Sequence, residues 1–410
     1  MVDIHPFAAI RPEPAVAQSL AAVPYDVVTA EEVRHCIEVN PLSFLRVSRS
    51  DAELPGLSPH DPRIYERARS TFQNMLRGNL MVQDNSPSFY IYRVNADNRI
   101  FTGIITCVKA EDYLSGLIHR HELTQYEKEE DRTRHIEAVN AQTGLVFLVY
   151  RDTGGLSATV ESLISRDVPP DSEVVSRSGA RHQIFRLQDP PLILRLKERF
   201  EEVKALYIAD GHHRAAAAVN VALRRQSEGH ASPESLRFMA VLFAHHQVMI
   251  HGYSRLVTDL GGLDISGFID RLKKEFKVDL CGEDPLSLRN TSTSLCMYLS
   301  HRWYTLTPHR RETSMIDSLD VTILQEHILC PILGISDPRK DSRLHYYGGV
   351  HSIHDLEEMV DSGKFAVAFA MRPVDIETVM AIADQNGIMP PKSTWFEPKL
   401  LSGLLVHSLE

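Results

Sequence analysis

The sequence predicts an α+β chain with a central mixed β-sheet, and three observations lead there. Apolar runs of strand length alternate with runs of helical period from about residue 89 to the end. Two consecutive strands, Phe89 to Val94 and Ile100 to Val108, are joined by the turn residues Asn95-Ala96-Asp97-Asn98. The run Leu206-Tyr207-Ile208-Ala209 stops at Asp210-Gly211, and His212-His213-Arg214 then lead into four alanines, which reads as strand, tight turn, helix.

The 410 residues suffice for two or three domains or one elaborated core. Three segments are expected: an N-terminal α/β segment 1–110, a central segment 111–260 that carries the Asp-Gly-His-His-Arg turn, and a C-terminal α/β segment 261–410, packed separately or as one body. Hydrophobic content of 43% and charged content of 24% are ordinary for a globular enzyme. A net charge of -10 argues against a broad nucleic-acid surface. Five scattered cysteines without C-x-x-C spacing give neither a disulfide framework nor a structural zinc pattern, which fits a reducing cytoplasm. The first residues lack a basic and apolar leader pattern, and no 18-residue apolar run occurs, so neither export by that route nor a membrane span is expected.

In chain order, Thr29 with Glu32 makes a capping box for a helix through about Val39, beside the Pro24-Tyr25-Asp26 loop. Ser43 to Ser48 reads as a strand and Ile64 to Leu76 as a helix. Continued strand alternation would put His119 and His121 on one face, a weak zinc pattern with no third ligand at helical spacing. The charged run Glu127 to Arg132 reads as a solvated face of a helix from about Tyr126 to Ala141. Further strands are expected at Leu145 to Tyr150, His182 to Leu187, Leu236 to Ala244 and Phe365 to Met371, with a last one at Leu400 to Val406. Buried-type helical spacing marks Leu319 to Leu333.

The chemistry-bearing residues gather at the Asp-Gly-His-His-Arg turn. The first backbone N–H groups of a helix have no intrahelical partner, so an anion can dock there. Gly211 lets it approach the backbone, while His212, His213 and Arg214 offer further donors. Asp210 suits a metal bridge or a general base, or else it caps the helix. In the Pro-rich loop 389–399, Lys392 and Lys399 can balance a bound anion while Trp395 covers it from water; a packed loop with snorkelling lysines is the alternative. Tyr25 and Asp26 either reach a substrate or form a rigid turn with Tyr25 as a core plug.

These blocks, in this order, resemble the family catalogued as domain of unknown function 1015: His5-Pro6-Phe7 to Pro12, Pro24 to Val28, Asn40 to Leu45, His121-Glu122-Leu123-Thr124, Ala209 to Arg214 and Met389 to Lys399. The Asp-Gly-His-His-Arg turn also resembles the phosphate-binding turn of the ParB and sulfiredoxin superfamily. The resemblance implies transfer of a phosphoryl group from pyrophosphate, or a nucleotide, to the hydroxyl of free L-serine, giving O-phosphoserine with Mg²⁺ as the metal. On it, Asp210 takes the serine proton or binds Mg²⁺ and His213 assists as a second catalytic residue. Gly211, His212, Arg214, Lys392 and Lys399 hold phosphate, and Tyr25, Asp26, His121, Glu122, Thr124 and Trp395 face the substrates. The expected partners are therefore a small phosphate donor and an amino acid. A ParB-like nucleotide switch or phosphohydrolase, and a non-catalytic anion sensor, remain alternatives. No Walker or protein-kinase signature is present.

Overall fold

A computed structural model describes residues 1–164, 168–281, 294–310, 313–349 and 352–410. It is an α+β fold in two compact units. Met1–Arg120, Thr124–Val248 and Pro398–Glu410 form the first, and His121–Leu123 with Met249–Glu397 form the second. Neither unit is a continuous stretch, and their boundaries fall elsewhere than at 110 and 260. The physical reason is long-range pairing: the main chain of Val406 exchanges hydrogen bonds with Ile10, and that of Ser402 with Ala22.

The first unit is built on eight strands: β1 (Phe89–Ala96), β2 (Arg99–Lys109), β3 (Ile118–His119), β4 (Val146–Tyr150), β5 (Ser172–Val175), β6 (Arg181–Leu187), β7 (Leu206–Asp210) and β8 (Arg237–Ala244). Their order is β3-β7-β4-β8-β2-β1-β6-β5. The sheet is mixed because β7 runs parallel to β3 and antiparallel to β4, while β8 runs parallel to β4 and antiparallel to β2. Ile91, Ile104, Leu148, Ile208 and Leu242 share one core with Ala215, Ala218 and Val219 of the helix after β7. Small side chains at those helical positions let that helix lie close on the sheet.

The capping box forms as expected: α1 (Ala30–Val39) starts with Thr29 accepting from the Glu32 N–H while Glu32 accepts from the Thr29 N–H at 2.7 Å. The helix expected at Ile64 to Leu76 is α2 (Pro62–Arg77), capped by Asp61. Ser43 to Ser48 is not a strand. Leu45–Ser48 is a helical turn started by Ser43, whose Oγ accepts the Leu45 N–H at 3.3 Å. Phe44, Leu45 and Val47 are all buried there, and a short apolar run of that kind does not distinguish strand from helix. Leu400 to Val406 is likewise no strand, because Gly403 turns the backbone at φ +81° with Phe44 packed against it.

In the second unit, β9 (Ser254–Val257), β10 (Phe276–Leu280), β11 (Leu295–Leu299), β12 (Arg302–Pro308), β13 (Leu344–Tyr347) and β14 (Val367–Ala370) form a sheet ordered β10-β12-β11-β14-β9-β13. Every pairing in it is antiparallel. The stretch read as one helix from Leu319 is α-helical only over Asp320–Leu324 and continues as a π turn over Gln325–Leu329. No helix among the described residues is long and apolar enough to cross a membrane.

Candidate functional site

β7 ends at Asp210, Gly211 reverses the chain at φ +93°, and the helix that follows covers His212–Ser227. The β7–β4 register shifts between Ile208 and Asp210, an irregularity of the β-bulge kind just before the turn. Asp210 is held by two cations. Lys399 Nζ donates to Oδ2 at 3.2 Å and Arg214 Nη2 donates to Oδ1 at 3.4 Å.

Arg214 folds back over its own turn. Its Nη1 donates to the Leu145 carbonyl, and its Nε is buried without a hydrogen-bond partner among the described residues. Burial works against the charge, but Asp210, Asp26 and Tyr25 outweigh it and hold the guanidinium pKa above its ordinary value. A Cβ on Gly211 would stand 3.0 Å from Arg214 Nε, so the glycine answers both the positive φ and the returning arginine. His212 is buried. His213 Nε2 accepts the Gln125 N–H at 3.0 Å, which leaves that nitrogen unprotonated and ties the turn to the start of the helix Tyr126–Val139.

The Pro-Tyr-Asp loop reaches the same place. Residues Tyr25–Val27 form a 3₁₀ turn held by Arg49, whose Nη1 donates to the carbonyls of Tyr25 at 3.1 Å and Val28 at 2.7 Å. The guanidinium of Arg132 lies 4.4 Å from the Tyr25 ring centroid. Burial and the neighbouring Asp26 push the Tyr25 hydroxyl up to about 12, so it is a hydrogen-bond donor at neutral pH. Tyr25, Arg132, His135, Gly144 and Arg214 line a cavity of about 30 Å³. Space on that scale suits water.

Of the residues expected from sequence, Tyr25, Asp26, Asp210, Gly211, His212, His213, Arg214 and Lys399 are gathered in the first unit, with Thr124 adjoining Gln125. His121, Glu122, Lys392 and Trp395 belong to the second. There His121 Nε2 lies 3.4 Å from Thr394 Oγ1, and its carbonyl accepts the Met389 N–H at 2.8 Å. Glu122 acts on the Tyr346 phenol, whose pKa is raised mainly by burial. Lys392 sits 5.5 Å from the Tyr253 ring centroid, and Trp395 Nε1 donates to Glu397 at 2.7 Å. The two lysines of the Pro-rich loop therefore serve different surroundings.

His119 and His121 do not share a strand face. β3 stops at His119, whose ring stacks on Tyr207 at 5.2 Å, and His121 falls in the other unit.

Arg132 was missed because its neighbours read as a solvated charged face. Helical spacing carries the signal: Arg132 lies three, four and seven residues before His135, Ile136 and Val139, all of them buried.

Asp210 and Asp26 both act on Arg214, and carboxylates are the ligand type that Mg²⁺ takes together with phosphate and water oxygens.

Solved structures similar to the chain include the following three. They are a conserved hypothetical protein from Pyrococcus furiosus (TM-score 0.37, 14% identity, covering 72% of this chain and 90% of that one), a free serine kinase in complex with AMP (0.39, 14%, 72% and 88%), and SbnI with a C-terminal truncation from Staphylococcus aureus (0.37, 10%, 72% and 82%). No curated protein matches. A family model matches residues 4–322, a stretch that takes in the Tyr25 turn, the Arg132 helix and the Asp210–Arg214 turn, and the chain thus belongs to the family described as protein of unknown function DUF1015.

Proposed function

We propose that the protein is a small-molecule phosphotransferase that moves a phosphoryl group from pyrophosphate or a nucleotide to the hydroxyl of free L-serine, giving O-phosphoserine. The observation that supports this reading most is the Asp210 carboxylate, set at the opening of the helix His212–Ser227 and flanked by Lys399 and Arg214. Phosphoryl transfer asks mainly for positioning and charge neutralisation. Donor phosphates would settle against the first-turn N–H groups beyond Gly211, where the helix dipole favours negative charge. Lys399 and Arg214 would neutralise charge that builds on the bridging oxygen.

The serine hydroxyl oxygen attacks the terminal phosphorus and the hydroxyl proton passes to an Asp210 oxygen. The bond from phosphorus to the bridging oxygen breaks, leaving inorganic phosphate from pyrophosphate, AMP from ADP or ADP from ATP. Asp210 then returns its proton to solvent. In its alternative role Asp210 would hold Mg²⁺, which would supply further charge neutralisation. His213 is a positioning residue in this reading, because its Nε2 already accepts the Gln125 N–H.

The test is incubation with L-serine, Mg²⁺ and pyrophosphate, ADP or ATP in turn, followed by assay for O-phosphoserine. Formation with one donor is expected. Nucleotide binding without transfer from any donor overturns the kinase reading in favour of a nucleotide switch.

A further inference from the structure

Away from that turn, Cys107 on β2, Glu234 and His407 bring a thiol, a carboxylate oxygen and an imidazole nitrogen within 4.8 Å of one another. Cys107 and His407 are buried and Glu234 is partly exposed. A second observation concerns where the ring proton of His407 sits. Gln142 Nε2 donates to the Arg237 carbonyl at 2.8 Å and Gln142 Oε1 accepts the Met239 N–H at 2.7 Å, so the orientation of that amide is fixed. Its Oε1 also lies 3.2 Å from His407 Nδ1, which must therefore be the protonated nitrogen. His407 Nε2 lies 2.8 Å from Glu234 Oε2, a hydrogen bond that a ring carrying protons on both nitrogens donates and that a metal ion bound by the two side chains would replace.

We propose that Cys107, Glu234 and His407 form a metal site for Zn²⁺. A thiolate, a neutral imidazole and a carboxylate are the ligand types that Zn²⁺ takes, and three protein ligands leave a fourth position for water. The surroundings supply the outer hydrogen bonds that orient such ligands: Gln142 on His407 Nδ1, and Arg237 Nη1 at 3.2 Å from Glu234 Oε1. Binding takes Cys107 as thiolate and His407 as neutral imidazole, so metal uptake is accompanied by proton release. The metal would tie the segment around His407 to β2 and to the loop that carries Glu234.

The experiment uses the full chain, dialysed against chelator and titrated with Co²⁺ and then Zn²⁺. One Co²⁺ per chain, bound with proton release and a thiolate-to-cobalt absorption band and then displaced by Zn²⁺, is expected. Cys107→Ser removes the band, and Glu234→Gln, which preserves side-chain size, weakens binding by about 10–100-fold. A band that persists in Cys107→Ser places the metal on another cysteine and overturns the site. Failure of the wild-type chain to retain Co²⁺ or Zn²⁺ leaves only the proton between His407 and Glu234, and also overturns it.

Discussion

Arg255 in the second unit is buried and Arg214 in the first largely so, and the two guanidiniums differ in what surrounds them. Arg214 has Asp210 beside it, with Asp26 and the Tyr25 phenol near, and its pKa stays above the ordinary value although burial opposes it. Arg255 donates to the carbonyls of Tyr253 and of Pro391, the latter at 3.2 Å, and lies 5.1 Å from the Tyr346 ring centroid. Burial pushes it down to about 10. Carbonyl dipoles and an aromatic face satisfy N–H groups, but they do not replace an anion. The first region is therefore organised around charge, and the second merely houses one.

The largest expected effect comes from removing the carboxylate that separates the two cases. Asp210→Asn keeps size but turns one accepting oxygen into a donor, and turnover in the phosphoserine assay falls by about 10²–10⁴-fold with an unchanged circular dichroism spectrum. Wild-type rates in this variant would move the base elsewhere.

Arg214→Met is next, costing about 1–3 kcal/mol in urea unfolding, below the range for a fully buried pair because Asp210 is partly exposed and keeps Lys399. The matched change Arg255→Met alters stability by under about 1 kcal/mol or raises it, since its charge has no carboxylate among the partners above. Equal losses in both variants would erase the contrast.

His135 gives the comparison a pH axis. It is buried, its Nε2 donates to the Val47 carbonyl at 2.9 Å, and burial with Arg132 nearby lowers its pKa from 6.5 to about 4. Between those values the unfolded chain binds more protons than the folded one. Its contribution is complete above pH 6.5 and is lost as pH falls toward 4, by up to about 1.4 kcal/mol per pH unit. A urea midpoint series across that range reads it, and His135→Gln flattens the slope.

Gly211→Ala costs about 1–2 kcal/mol for a left-handed alanine. It should also push Arg214 off the turn, because the new Cβ stands 3.0 Å from Nε.

What the sequence made legible was local. The Thr29–Glu32 capping box and the strand, turn and helix around Gly211 are fixed by residues a few positions apart, and both form as read. The pairing of Asp210 with Lys399 spans 189 positions, and no periodicity reports it. Arg132 carried a helical signal that its charged neighbours obscured, whereas the burial of Phe44 and Leu45 was readable and their helical backbone was not. The division into units escaped because residues 398–410 return to the first unit after a long excursion.

That return has a temporal meaning. A chain leaving the ribosome exposes Asp210 and Arg214 well before Lys399 is made, so for part of synthesis the turn exists without its second cation. The charge balance around Asp210 would then be completed only as residues 398–410 emerge.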